Sequence, residues 1–279
     1  EAEARRIEQL QEAEARRRAE EAERKRQAEA ARRAAEEQER ARREAERRRL
    51  QLEAQMAEAL KKKHDELPAL ELAKKQLKMK DDGHFEDTWV GEKALYNVRE
   101  EDFGNGEWKR IPDILDEPKL ASDFNPGDIS QGSIGDCWLL SAITVLAQHD
   151  ELMEKVLVTK EYNDKGFYVV KIFKGGAWRS IVVDDRLFCD RWGRLKFAKS
   201  KAGEFWVPIL EKAYAKYHGS FEAIVGGNVA IGLAELTSGV ADRIQLGNNG
   251  DVSSGALFRA IKSLYEEGHL LGAGSPSGS

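Results

Sequence analysis

Hydrophobic and polar positions change period along the chain, and each change predicts a different element. Residues 1–66 are almost wholly Glu, Ala, Arg, Gln and Lys, with Ile7 and Leu10 the only large aliphatics before Leu50. Strong helix formers without an apolar stripe predict a long charged α-helix. It would be held by Glu-to-Arg pairs four residues apart, such as Glu1–Arg5, Glu12–Arg16 and Glu44–Arg48, each worth about 0.2–0.5 kcal/mol. A coiled coil would need apolar residues at successive seam positions, and between Gln11 and Arg49 these are Ala or polar. An isolated rigid helix is therefore favoured.

Residues 67–107 read as an irregular approach segment. Pro68, Asp81-Asp82-Gly83 and Gly104-Asn105-Gly106 punctuate it, and Phe85, Trp89 and Phe103 anchor it. A period of 3.6 returns after Cys137, where Leu139, Leu140, Ala142, Ile143, Val145 and Leu146 predict a buried helix running to about Gln148. A short helix or turn follows at Leu152–Val158. The period then drops to two: Phe167–Phe173 and Trp178–Asp184 predict a hairpin through Lys174-Gly175-Gly176-Ala177. Leu187–Cys189 and Leu195–Ala198 flank a further turn, giving a small antiparallel sheet. A helix at Glu204–Tyr217 tolerates Pro208 only in its first turn. Gly226-Gly227 and Gly232 mark close turns, and Ser253 or Ser254 caps a last helix, Gly255–Glu267.

Charge separates the two ends. Residues 1–63 carry 19 Lys+Arg against 16 Asp+Glu, whereas the remainder carries 26 against 34. The acidic globular part gives nucleic-acid binding no electrostatic support. Cys137 and Cys189 are the only cysteines, too few for a disulfide framework, and no apolar run approaches the roughly 20 residues of a membrane span. A reducing cytoplasm is the expected compartment. Glu1 in place of Met, with no targeting pattern, suggests a piece of a longer polypeptide.

The candidate chemistry lies in Gln131-Gly132-Ser133-Ile134-Gly135-Asp136-Cys137-Trp138. Gly132 and Gly135 let the loop bend, Asp136 can cap the helix, and only the tip of so apolar a helix is left to face a cleft. The positive end of a helix stabilises an anion, which is what a nucleophilic thiolate needs. The alternative is that Cys137 is a small buried hydrophobe.

That stretch resembles the nucleophile motif of the calpains, calcium-dependent cysteine proteases. The likeness extends from about Trp108 to Gly274: Gly175–Asp185 looks like the family's G-x-W-x-x-V-x-V-D-D strand, Gly203–Lys216 like its E-F-W helix, and Gly219–Gly227 like its G-S-Y-E-A-L-x-G-G segment. The resemblance implies an α+β fold, the papain-like first lobe of a calpain core over 108–268, with 269–279 linking to a second lobe. It implies Cys137 as nucleophile, Gln131 as oxyanion donor, protein substrates, and calcium as a regulatory ion on Asp128 and Glu204. Thr237-Ser238-Gly239 departs from the family's T-G-G.

A general base is harder to find. His269 falls 132 residues after Cys137, a papain-like interval, but no Asn follows it, and calpains carry their base within a later Gly-His motif. His218 reads as a C-terminal helix cap. The chain is thus expected to stop before its catalytic His and Asn and to be inactive alone. The rival reading is a non-catalytic, calcium-responsive scaffold whose charged helix binds cytoskeletal or other protein partners.

Overall fold

The computed structural model of the chain describes residues 40, 43, 44, 47, 48, 68–96, 106–200, 203–244 and 254–274. Two compact units divide at His64 and Asp65. In the first, the five described residues are helical, and Arg48 and Glu44 pair at 2.8 Å. The rest of the expected 1–66 helix lies outside the described residues.

In the second unit a helix at 68–76 (α1) leads into a hairpin of β1 (Lys78–Met79) and β2 (Phe85–Glu86), a short helix α2 (Glu92–Leu95) and β3 (Glu107–Arg110). Next come β4 (Ile129–Ser130), the cysteine helix α3 (Cys137–Leu146) and α4 (Asp150–Val156). They are followed by β5 (Phe167–Lys174), β6 (Ala177–Asp184), β7 (Arg186–Cys189) and β8 (Lys199–Ser200). The helices α5 (Trp206–His218), α6 (Val229–Thr237) and α7 (Ala256–Glu266) complete it.

The α+β class expected from the sequence is the one observed, with corrections in detail. Among the described residues the strands form four separate two-stranded antiparallel pairs, β1–β2, β3–β7, β4–β8 and β5–β6, rather than one sheet. The β5–β6 hairpin is in the expected place: Phe167 faces Asp184, Lys174 faces Ala177, and Gly175 and Gly176 supply φ of 61° and 75°. Two consecutive positive φ values match the right-handed twist of the flanking strands. In addition β7 pairs with β3, so the 107–110 stretch, for which the sequence pattern predicted no element, is a strand. The expected turn is present as well: Cys189 bridges Leu195 and the Lys196 N–H donates to the Phe188 carbonyl at 3.1 Å, after which the chain leaves β7 and reaches β8, which pairs with β4.

The core forms around α3, whose Leu139, Leu140, Ala142, Ile143 and Leu146 are buried. Across it lies α6, where the sequence pointed to turns. Gly232 sits inside that helix and allows the approach: a Cβ there would stand 2.8 Å from the Ala142 Cβ. Asn228 caps α6 by accepting the Ala230 N–H at 2.9 Å. The third core helix, α5, buries Trp206 through Ala215, with Pro208 in its first turn as required. Its start is Trp206, so Glu204 stands outside it, bridged to Lys119. The last helix, α7, buries none of its residues and leaves Phe258 and Tyr265 exposed. Ser254 Oγ accepts the Ala256 N–H at 3.3 Å. Among the described residues no helix is long and apolar enough to cross a membrane.

Candidate active site

The loop before α3 is fastened on both sides. Ser133 N–H donates to the Lys196 carbonyl at 2.8 Å, and Gly226 N–H donates to the Gly135 carbonyl at 2.8 Å. Gly132 lies so close to Phe197 that a Cβ would stand 2.2 Å from its carbonyl carbon. Trp138 donates its indole N–H to the Ile224 carbonyl at 2.9 Å. Gly227 backs the same ring: a Cβ there would be 2.2 Å from it. These contacts leave the Cys137 side chain exposed at the first position of a buried helix. The first-turn N–H groups of a helix have no partner within it, and the Cys137 N–H meets no protein acceptor among the described residues. Cys189 is the opposite case: buried, with burial pushing its thiol up to about 11.

Gln131 closes the loop by donating from Nε2 to the Ile134 carbonyl at 2.8 Å, which uses one of its two amide hydrogens. Asp136 does not cap α3 as the sequence suggested. Its side chain makes no capping bond and is fully buried, because the core beneath the loop takes the carboxyl inward toward Glu211 of α5. Burial raises the Asp136 carboxyl. Burial, and then the charge of Asp136, keep Glu211 protonated well above the usual carboxylate range.

Asp128 ends a 3₁₀ turn, Pro126–Asp128, immediately before β4. Ile129 faces Ser200, so Asp128 and Glu204 flank the same end of the β4–β8 pair. Glu204 is buried; its Oε1 accepts the Ser122 N–H at 2.7 Å and its Oε2 has no partner. Among the described residues no three His, Cys, Asp or Glu side chains gather into a metal-binding group.

A family model described as "Calpain family cysteine protease" matches residues 82–278, more than half of the chain. The chain belongs to the calpain family of cysteine proteases. Over 184 residues it is 44% identical to the calpain-type cysteine protease ADL1 of Oryza sativa, covering 62% of this chain and 8% of that protein. Against the Arabidopsis thaliana protein DEK1 the identity is 45% over the same 62% and 8%. The calpain-2 catalytic subunit of Bos taurus is 38% identical over 171 residues, 60% of this chain and 24% of that protein. The chain therefore spans well under a third of the length of these calpains.

The two histidines weighed as candidate bases make other contacts in this calpain chain. His218, expected as a helix cap, instead directs Nε2 to Glu235 of α6 at 3.0 Å and stacks on Tyr214 with centroids 4.6 Å apart. Glu235 also pairs with Lys174 at 2.6 Å and accepts the Tyr214 hydroxyl. His269 follows α7 in the open, 3.6 Å from Glu267. Among the described residues no hydrogen bond or ion pair joins a histidine to Cys137. Sequence reasoning missed Glu211, Glu235 and the 196–198 backing segment. The motif-like Glu211-Lys212 pair on an otherwise apolar helix was the one available signal, since charges on a buried face need partners.

Proposed function

We propose that this chain supplies the nucleophile half of a calpain-type endopeptidase. The Cys137 thiolate attacks a peptide carbonyl carbon, forming a C–S bond and a tetrahedral oxyanion. The Cys137 N–H and the second amide hydrogen of Gln131 receive that oxyanion. Collapse breaks the C–N bond, and a protonated histidine supplied by the second lobe of the full-length protein gives its proton to the leaving amine. Water then hydrolyses the thioester and restores the thiol. The observation that carries this reading is the exposed Cys137 on the first turn of a buried helix, with its loop clamped on both sides.

Two measurements test it. Iodoacetamide should label Cys137 and spare Cys189 in the native chain; the reverse order would end the reading. In a full-length protein containing this chain, Cys137→Ala should abolish peptide hydrolysis. The chain alone should be inert, since removing one member of such a unit can cost roughly 10⁶ in rate.

Calcium is the ion this reading implies. The unpartnered, buried Glu204 Oε2 suits a hard cation, which takes 6–8 oxygens from carboxylates, carbonyls and water. Asp128 and Glu204 would hold it, with loop carbonyls completing the shell, and its contribution would be to order the lobe. Calcium at about 100 times its Kd should stabilise the lobe by about 2.7 kcal/mol. Asp128→Ala/Glu204→Ala should show no calcium-dependent rise in melting temperature, and a rise equal to wild type would refute the site.

A further inference from the structure

Directly beneath the nucleophile two carboxyl groups are buried together. Asp136, one residue before Cys137, and Glu211 of α5 are both fully buried. Burial pushes both carboxyls up, Glu211 further through the charge of Asp136, and neither Asp136 oxygen receives a hydrogen bond from any described group. Glu211 accepts the Ala198 N–H at 2.9 Å on one oxygen and 3.2 Å on the other. Among the described residues no cation is a cause of either carboxyl's shift. Lys212, next along α5, directs its Nζ to the Asp184 carboxylate and to the Asp184 and Arg186 carbonyls. Two ionised carboxylates in such a site would repel each other without solvent, and Asp136 would have no donor at all.

One proton resolves both costs. Held on Glu211, it removes a charge and provides the missing donor to Asp136, as in other close carboxyl pairs. Glu211 then grips the nucleophile loop at both ends. It reaches the helix start through Asp136, and through Ala198 it holds the segment whose Phe197 backs Gly132 and whose Lys196 carbonyl takes the Ser133 N–H. We propose that Asp136 and Glu211 share a single proton and act as a positioning pair that fixes the N-terminus of α3, and so the aim of the Cys137 thiol and N–H. This rests on Cys137 being the nucleophile. Without the pair, the Asp136 carboxylate turns outward to the free first-turn N–H groups of α3. That rotation re-aims the Asp136–Cys137 peptide and brings a negative charge toward the thiolate.

The test uses the chain with three variants and two readouts: the infrared carbonyl stretch of a buried carboxylic acid at neutral pH, and alkylation of Cys137 followed by peptide mapping. Wild type should show the carboxylic acid band, Glu211→Gln should lose it, and Asp136→Asn should keep it at a shifted frequency, because burial still holds the Glu211 proton while an amide replaces its carboxylate acceptor. Glu211→Gln should nonetheless alkylate at nearly the wild-type rate. Its amide donates to Asp136 while its carbonyl takes the Ala198 N–H. Glu211→Leu, if folded, should alkylate at least about tenfold more slowly, as expected for a buried carboxylate left without a donor. Absence of the band in wild type, or a folded Glu211→Leu that reacts at the wild-type rate, overturns the pair. If Glu211→Leu does not fold, a tenfold loss in folded Glu211→Gln overturns it as well. Failure of the nucleophile reading looks different: native Cys137 would react no faster than in the urea-unfolded chain, while the infrared band would still be present.

Discussion

A methyl group added at Gly132 should do far more damage than one added at Gly135, although both glycines punctuate the same loop. At Gly132 the new Cβ would lie 2.2 Å from the Phe197 carbonyl carbon and 2.3 Å from its oxygen, where ordinary contact begins at 3.4 Å. The obstacle is backbone, so no side chain can swing away, and the two segments must part by about 1.2 Å. Overpacking of this kind costs about 1–3 kcal/mol, and parting also breaks the Ser133-to-Lys196 bond, worth about 1 kcal/mol. The larger effect is on chemistry, because a misplacement of about 1 Å can cost roughly 10²-fold in rate. At Gly135 the nearest atom is the Val225 Cγ1 at 3.6 Å, an ordinary contact. The assay is Cys137 alkylation and, in the full-length protein, peptide hydrolysis, with urea melts of each variant. Gly132→Ala should lower the melt and slow both reactions, and Gly135→Ala should leave them near wild type. Equal damage at the two positions would refute the argument that close approach, rather than loop flexibility, is what Gly132 provides.

Further expectations concern stability. Ser238 adopts φ 65° and ψ 13° at the end of α6, so Ser238→Gly, which restores the family's T-G-G, should add about 0.5–1 kcal/mol in urea melts. An unchanged or lower midpoint would refute it. Glu235 is pulled down to about 2, its burial outweighed by hydrogen bonds from His218, Lys174 and Tyr214. A folded value below the ordinary 4.5 means that its stabilisation is present above that pH and lost as pH falls toward about 2. The amount is at most about 3 kcal/mol, less for the exposure of Lys174; Glu235→Gln should flatten that part of the pH–stability curve, and an unchanged slope would count against it. Asp184→Asn and Lys212→Met should each cost about 3–5 kcal/mol by stranding a buried partner, while the double variant costs clearly less than their sum. Additive losses would show the two groups to be independent.

How much was legible depended on how far each cause reached along the chain. The Cys137 helix and the β5–β6 hairpin rest on neighbouring residues: an unbroken apolar run in one case, strand alternation around Gly175-Gly176 in the other. Both appeared where expected. Glu107–Arg110 gives no such signal, being charged at three of four positions, and becomes a strand only because β7 offers a partner. Gly232 was misread because a glycine marks turns locally, whereas its use in α6 is to let α3 approach. Asp136 follows the capping rule by residue type and position, yet its side chain obeys the buried partner on α5. The same reasoning applies to Glu204, whose place before α5 is set by pairing with Lys119.

The polar groups that sequence could not interpret converge on two successive residues of α5. Consecutive positions on a helix point about 100° apart, so Glu211 and Lys212 reach different parts of the fold. Glu211 turns to the nucleophile loop through Asp136 and Ala198. Lys212 turns to the end of β6, where its three donors meet the Asp184 carboxylate and the Asp184 and Arg186 carbonyls. Asp184 in turn accepts the Asp87 N–H at 2.9 Å, and Lys216, one turn along α5, pairs with the Asp87 carboxylate. A buried ion pair adds little net stability compared with apolar packing, so strength alone does not account for this cluster. Its directional bonds fix the register of the 85–89 segment and β6 against the same helix that sets the loop. The position of the thiol is thereby referred to α5, and any change that rotates α5 should be felt at Cys137 before it is felt in the melting temperature.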